Sequence, residues 1–480
     1  MFESIPIPIW VIVLVGLMAA WAALDRLLIP SVRWYLRRRV NRVINDLNKR
    51  LQLRIEPFRL TRRAVLIDRL TYDPEIMKAA EAEAEASGKP REALVREVAR
   101  YAREIVPSFN AYAYFRVGYW LARQVARALY RVRLGYADTE GLSGVPENAS
   151  VVFVMNHRSN MDYVLVGYLA ASTAALSYAV GEWARIWPLQ TLVRTLGAYF
   201  IRRKSGNALY RKVLARYVQM ATSGGVVQAV YPEGGLSRDG RLREPRLGLL
   251  SSMVEAFDPA SGRDLVFIPV GINYDRVLED RTLLRSLDKE LPRASTRFAL
   301  AKSFGFLGHQ LTLFVRRRWH RFGYACVNFG PPISMTDYLA EAGTAFAADE
   351  TPERFEQIET LGRHLMEAVG AVIPATPVSL VATVLLAKNV QAVSELEIKA
   401  SVFGLMKSLE AGGAQVYLPR ADRDYAVGVG LRMLTLRHVV LEEEGLFRVN
   451  PTDIEVVRYY ANAIAHLPGA RTDDTAGDSA

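Results

Sequence analysis

Cysteine is almost absent from this chain of 480 residues: Cys326 stands alone, so no intrachain disulfide and no thiolate-held metal cluster can form. That usage fits a reducing compartment. The six histidines show no HxxxH or HExxH spacing, which argues against a histidine metal site. No GxxxxGK[ST] occurs, so a phosphate-cradling P-loop is excluded, and no internal repeat is visible. Charge is also missing locally. Between Ile5 and Leu24 there is no charged residue, and the run from Ile9 is almost wholly apolar, about the length that a hydrocarbon core requires of a spanning helix. Only Glu3 precedes it, whereas Arg26, Arg33, Arg37, Arg38, Arg39 and Arg42 follow. This asymmetry predicts a transmembrane anchor over residues 1–30 in the inner (cytoplasmic) membrane, with the rest of the chain on the cytoplasmic side. A cleaved signal peptide would need a basic stretch before the run, and Met1–Ser4 offers none. Pro6 and Pro8 leave open a helix lying in the interface.

Half of the residues are hydrophobic, enough for a sizeable core, and the length fits two or three domains. The net charge of +11 implies an anionic partner: nucleic acid, a phosphorylated substrate or an anionic membrane surface. Residues 31–143 read as a basic, helical, membrane-proximal region, broken at Ser87-Gly88-Lys89-Pro90. Within it Arg123, Arg127 and Arg131 recur every fourth residue beside aromatic side chains. This is one basic helical face, suited to a membrane surface or an acidic partner, or simply to solvent. From about Gly144 the texture changes to short apolar runs at 151–155, 175–180, 198–202, 225–234, 264–274 and 324–334, separated by helical patterns. They predict an α/β domain over 144–336 with a mixed, largely parallel sheet flanked by helices. Residues 337–467 read as a mainly helical C-terminal domain, with the apolar segment 377–387 too short to span a bilayer, and 468–480 as a disordered tail.

Four blocks carry chemistry. In the first, Asn156-His157-Arg158-Ser159-Asn160-Met161-Asp162, a histidine and a carboxylate stand five positions apart. On a continuous helix they would diverge by about 140°. They meet if His157 occupies the turn leaving a strand and Asp162 the first turn of the next helix, for which Ser159-x-x-Asp162 reads as a capping box. A carboxylate that orients an imidazole builds a general base. The bland alternative is a helix cap beside a surface histidine. The second block, Gly197–Lys204, runs a strand into Arg202 and Arg203, whose guanidinium groups suit phosphate. The third, Tyr231–Arg241, ends a strand at Pro232 and continues through Glu233, Gly234, Gly235, Ser237 and Arg238, where glycine backbone, hydroxyl and arginine can hold an anion. The fourth, Phe267–Tyr274, is an apolar strand interrupted by Pro269, which predicts an edge or a bulge.

The order and wording of these blocks (HRSNMDY, GAYFIRR, YPEGGLSRDGR, IPVGINYDRVLE) resemble the glycerolipid acyltransferases, most closely the membrane-bound glycerol-3-phosphate 1-O-acyltransferases of bacteria and their dihydroxyacetone-phosphate relatives. The resemblance continues more weakly through 328–334, 376–386 and 457–467, and does not cover the first hundred residues. It implies His157 as general base with Asp162 orienting it, Arg203 and Arg202 on the acceptor's phosphate, and Glu233, Gly234, Gly235, Ser237 and Arg238 around the acceptor and thioester. Pro269 would line the acyl side. Leu236 departs from the pattern, since many relatives carry arginine there. The implied reaction moves an acyl group from acyl-CoA or acyl-carrier protein to the sn-1 hydroxyl of glycerol 3-phosphate in phospholipid biosynthesis, with no metal or cofactor and no serine or cysteine nucleophile. Lysophosphatidate and dihydroxyacetone phosphate are the alternative acceptors. A basic membrane-tethered protein binding anionic lipid or nucleic acid is the non-enzymatic alternative. It leaves the four ordered blocks unexplained, and no nucleic-acid signature is present, so no nucleic-acid partner is expected.

Overall fold

The apolar runs after Gly144 all enter one sheet. In the computed structural model the described residues are 56–170, 174–181, 184–185, 189–202, 206–287, 321–343, 351–388 and 391–470. They supply β1 (Arg131–Ala137), β2 (Ser150–Met155), β3 (Ser177–Val180), β4 (Tyr199–Phe200), β5 (Gln228–Val230), β6 (Leu265–Tyr274), β7 (Tyr324–Phe329) and β8 (Ile333–Ser334). The sheet order is β1-β7-β6-β2-β5-β3-β4, with β8 pairing β6. Neighbours are parallel except where β6 meets β7 and β8. The expected mixed, largely parallel α/β sheet is therefore present. The expected anchor at 1–30, the neck up to residue 55 and the tail beyond 470 lie outside the described residues. Among the described residues no helix is long and apolar enough to cross a membrane.

Strand alternation builds two core layers. Val151, Phe153 and Met155 of β2 join one cluster, while Val152 and Val154 join another on the opposite face. The first layer is closed by C-terminal helices, including Pro377–Ala387, most of whose residues are buried, as expected for a core segment. The second is closed by the helices Arg63–Thr71, Arg91–Ile105, Ala208–Ser223 and Pro352–Ala371. A strand covered on both faces has no polar side to show, which is why these runs read as continuous rather than alternating.

Local signals set the helix ends. Asp73 caps Pro74–Ser87 through Glu75 and Ile76 N–H, Gly88 closes it at φ 67°, and the next helix starts at Arg91, so the break expected at 87–90 is where it occurs. The helix Tyr119–Leu129 stops earlier than expected. Arg131 belongs to β1, pairing with Tyr324, so it does not share a face with Arg123 and Arg127. Tertiary pairing with β7 decides this, since Arg131–Ala137 alternates weakly and is mostly exposed. The sheet thus takes its first strand from ahead of residue 144, and all the described residues fall in one compact unit, Gln52–Ala480. Pro269 is a second correction, because β6 is an interior strand rather than an edge. The proline sits where the antiparallel partner changes from β8 (Phe267 opposite Ile333) to β7 (Val270 opposite Phe329). Its carbonyl accepts from Gly330 N–H at this junction, and no ladder bond is asked of its missing N–H.

The C-terminal region is mainly helical, with a small antiparallel sheet of β9 (Val393–Ser394), β10 (Val440–Glu443) and β11 (Leu446–Val449) that the sequence does not advertise. It is tied to the turn after β6 by a buried network. Asp280 Oδ2 accepts from Arg437 Nη2 at 2.5 Å and from the Tyr460 hydroxyl at 2.6 Å, and that hydroxyl accepts from Arg437 Nη1 at 2.9 Å. Arg437→Leu leaves Asp280 without its counter-charge and should cost about 3–5 kcal/mol in chemical denaturation. A loss below about 1 kcal/mol would mean that the network does not hold this region.

Candidate active site

His157 and Asp162 meet across the turn that leaves β2, with Asp162 as the first residue of the helix Asp162–Ala170. His157 Nδ1 lies 2.8 Å from Asp162 Oδ2. The same oxygen accepts from Arg158 N–H at 2.8 Å and Ser159 N–H at 3.0 Å, while Oδ1 accepts from the Tyr274 hydroxyl at 2.6 Å. A carboxylate is acceptor-only, so this arrangement places the imidazole proton on Nδ1 and leaves the lone pair on Nε2. Both side chains are buried, and Nε2 has no hydrogen-bond partner among the described residues. The ring stacks on Tyr231 (centroids 4.1 Å apart, planes 27° apart) and meets Tyr163 edge-on at 5.4 Å. An oriented imidazole with Nε2 left open is the arrangement that general-base chemistry requires.

The capping box forms only by half. Asp162 takes the Ser159 N–H, but the Ser159 hydroxyl accepts from Met161 N–H at 3.1 Å and donates to Glu279 Oε2 at 2.7 Å. Ser159 is a structural serine, its hydroxyl committed to a carboxylate.

The third block grips the backbone of the histidine itself. Glu233 Oε1 accepts from His157 N–H at 2.8 Å, and Ser237 N–H donates to the His157 carbonyl at 2.9 Å. The Ser237 hydroxyl donates to the Arg241 carbonyl at 2.7 Å, closing its own loop. Gly234 (φ 67°) lies under the Arg246 side chain. Gly240 (φ 89°) runs against the Tyr459 carbonyl so closely that a Cβ would come within 2.0 Å of it, which restricts this turn to glycine. Arg158 donates to the Gly240 carbonyl and lies over the Tyr459 ring at 4.7 Å. The loop is thereby fixed, and it presents Arg238, Arg241 and Arg246 to solvent, none of them ion-paired among the described residues. Gly235, half-buried, lies beside them.

Two expected residues lie elsewhere. Arg202 follows β4, three strands away from β2, roughly 14 Å across the sheet. Its guanidinium is held by Glu104 through two bonds of 2.9 and 2.6 Å, which raises its pKa further. Pro269 is opposite Val154, inside the sheet and three residues short of the level of His157. Arg203 lies outside the described residues. The residues that sequence reasoning passed over are Tyr231, Tyr274, Glu279 and Asn156. Asn156 bridges to β6 by giving Nδ2–H to the Ile272 carbonyl at 2.9 Å and taking Ile272 N–H at 2.8 Å. Each stands within a quoted block, but none has a spacing that announces its contact.

Glu233 supplies a pH test. Burial pushes its carboxyl from 4.5 up to about 8, offset in part by the His157 N–H and by Arg158 and Arg243. The folded protein therefore holds this proton more tightly than the unfolded chain. Its stabilisation is complete below pH 4.5 and lost as pH rises through about 8. Glu233→Gln removes that term, so wild type should lose stability relative to the variant on going from about pH 5 to 8 in urea unfolding. A pH-independent difference would show that Glu233 is ionised throughout.

The sequence of this chain is similar to that of known proteins. Residues 137–273 match the Acyltransferase family model, and residues 310–468 match the glycerol-3-phosphate acyltransferase C-terminal region. The chain is 26% identical over 443 residues to a glycerol-3-phosphate acyltransferase of Xylella fastidiosa (strain M23), covering 90% of this chain and 50% of that one. It is 30% identical over 372 residues to that of Pseudomonas aeruginosa (strain LESB58), covering 75% and 42%. The chain thus spans about half the length of these relatives. Among solved structures, the 1-acyl-sn-glycerophosphate acyltransferase PlsC from Thermotoga maritima aligns with a TM-score of 0.31 at 14% identity, over 64% of this chain and 98% of that one. The acyltransferase match spans the first three blocks and nearly all of the fourth, and the chain belongs to the glycerolipid acyltransferase superfamily.

Proposed function

We propose that this protein transfers a fatty acyl group from an acyl-CoA or acyl-carrier-protein thioester to the sn-1 hydroxyl of glycerol 3-phosphate, in phospholipid biosynthesis. The observation that carries the reading is the free Nε2 lone pair of His157, fixed by Asp162 on the opposite side of the ring. An alkoxide precursor with an ordinary alcohol pKa needs such a base at neutral pH. His157 takes the hydroxyl proton as the oxygen bonds to the thioester carbonyl carbon. The imidazolium then returns that proton to sulfur as the C–S bond breaks, and Asp162 stabilises the transient cation. The thioester is already activated, so proton handling, positioning and charge stabilisation suffice, and the residues named need no cofactor. Arg238 and Arg241, on the fixed loop beside His157 and without an ion-pair partner among the described residues, are the cations we assign to the acceptor's phosphate, with Arg203 as a further candidate. The chain covers about half of its relatives, whose names specify glycerol 3-phosphate, and this supports the acceptor choice over lysophosphatidate and dihydroxyacetone phosphate.

Membrane association belongs to the same reading, because the acylated product partitions into lipid. Besides the expected anchor at 1–30, the segment from Tyr112 to Arg127 exposes Val117, Trp120 and Leu121 beside Arg116, Arg123 and Arg127. Exposed aromatic and aliphatic side chains flanked by arginine fit an anionic bilayer at the inner (cytoplasmic) membrane.

Two experiments test this. Purified protein offered glycerol 3-phosphate, lysophosphatidate and dihydroxyacetone phosphate with labelled palmitoyl-CoA or palmitoyl-carrier protein should acylate glycerol 3-phosphate fastest. His157→Ala should lower the rate about 10²–10⁴-fold while the protein stays folded. Product from lysophosphatidate alone would overturn the acceptor, and full activity of the variant would overturn the base. In a chain lacking residues 1–30, Arg123→Glu with Arg127→Glu should weaken co-sedimentation with phosphatidylglycerol vesicles by about tenfold or more. Unchanged co-sedimentation would remove this helix from the membrane contact.

A further inference from the structure

The fourth block supplies more than a strand. β6 continues past the level of Pro269 and ends at Tyr274, whose hydroxyl reaches Asp162 Oδ1 at 2.6 Å. Five residues later Glu279 returns to the same turn. It takes the Ser159 hydroxyl at 2.7 Å and the Asn160 side-chain amide at 3.1 Å, with Asn160 N–H at 3.3 Å. The turn bearing the pair is therefore gripped by the last residue of β6 and by a side chain five residues beyond it, both more than a hundred residues away in sequence. Resting on the acyl-transfer reading above, we propose that Tyr274 is a positioning residue for the proton transfer. Its hydroxyl fixes the Asp162 carboxylate and shares its charge, so that the His157 ring stays correctly turned, while Glu279 holds the turn in place.

The geometry separates this role from substrate contact. Tyr274 is fully buried, and it reaches Asp162 through the oxygen that does not face the imidazole. Burial and the nearby Asp162 charge push its phenol well above the ordinary value, so it remains a donor. Oδ2 already serves three donors, whereas Oδ1 has Tyr274 as its one described partner. Removing that hydroxyl strands a buried carboxylate oxygen, and more of the carboxylate's charge then falls on His157. The charged and titratable groups around the pair are Arg158, Tyr163, Tyr231, Glu233 and Glu279, with Tyr130 behind Tyr274.

The sign follows. A more exposed carboxylate charge stabilises the imidazolium, raises the pKa of His157 and moves the acid limb of the rate profile to higher pH. With full-length protein, glycerol 3-phosphate and palmitoyl-CoA, Tyr274→Phe should lower kcat about tenfold or more, leave KM for glycerol 3-phosphate near its wild-type value, and move the acid limb up by about half a pH unit or more. Tyr130→Phe is the control. Its ring lies 5.2 Å from that of Tyr274, but its hydroxyl donates to the Arg276 carbonyl, so it should leave the limb in place. A Tyr274→Phe enzyme with wild-type kcat and limb overturns the proposal, as does an equal displacement in Tyr130→Phe. Nitrogen-15 NMR of the six histidines, with His157→Gln for assignment, reads the same pKa without turnover. Inactive wild type with an upward His157 shift in Tyr274→Phe would defeat the acyl-transfer reading and leave the positioning role standing. An unshifted His157 would defeat the positioning role alone.

Discussion

Everything at this site hangs on how many donors one buried carboxylate collects. Asp162 is shut away from water, and it receives two backbone N–H groups, one phenol and one imidazole N–H. Desolvating an anion is expensive unless it is hydrogen-bonded on all sides. These four bonds make the charge tolerable where it is needed. They also fix its direction, and the direction fixes the tautomer of His157. The free Nε2 lone pair is thus a consequence of how Asp162 is satisfied.

The sheet explains why the partners converge. β2, β5 and β6 run parallel, so their C-terminal ends share one edge, where α/β sheets gather their ligand-binding residues. His157 follows β2, Glu233 follows β5, and Tyr274 ends β6. Three blocks spread over more than a hundred residues become neighbours because three strands point the same way. The second block, after β4, ends on the same edge but farther along it, and Glu104 occupies its Arg202.

Three carboxyl groups hold the turn that bears the imidazole, and burial treats them differently. Glu233 has one described donor, the His157 N–H, and its carboxyl rises to about 8. Glu279 also rises through burial, opposed by bonds from Ser159 and Asn160. Three full anions so close together would repel one another and any anion brought to the site. Protonation of Glu233 at neutral pH lowers that burden while its Oε1 still accepts the histidine backbone.

The sequence by itself determined the buried parallel sheet, through continuous apolar runs that only a two-faced strand can accommodate. It also determined the break at Ser87–Pro90 and the meeting of His157 with Asp162, because strand end, turn and helix start are local events governed by a few residues each. The rest was decided by tertiary structure. Arg131 left its helix because β7 offered backbone pairing, and Pro269 became tolerable in an interior strand because two partner strands change over beside it. Ser159 turned from helix cap to donor because Glu279 arrives from 120 positions away. Tyr274 and Glu233 could be read as letters of a motif but not as hydrogen-bond partners. A side chain's periodicity reports which face is buried, whereas the atom it meets there depends on which strand the chain places alongside.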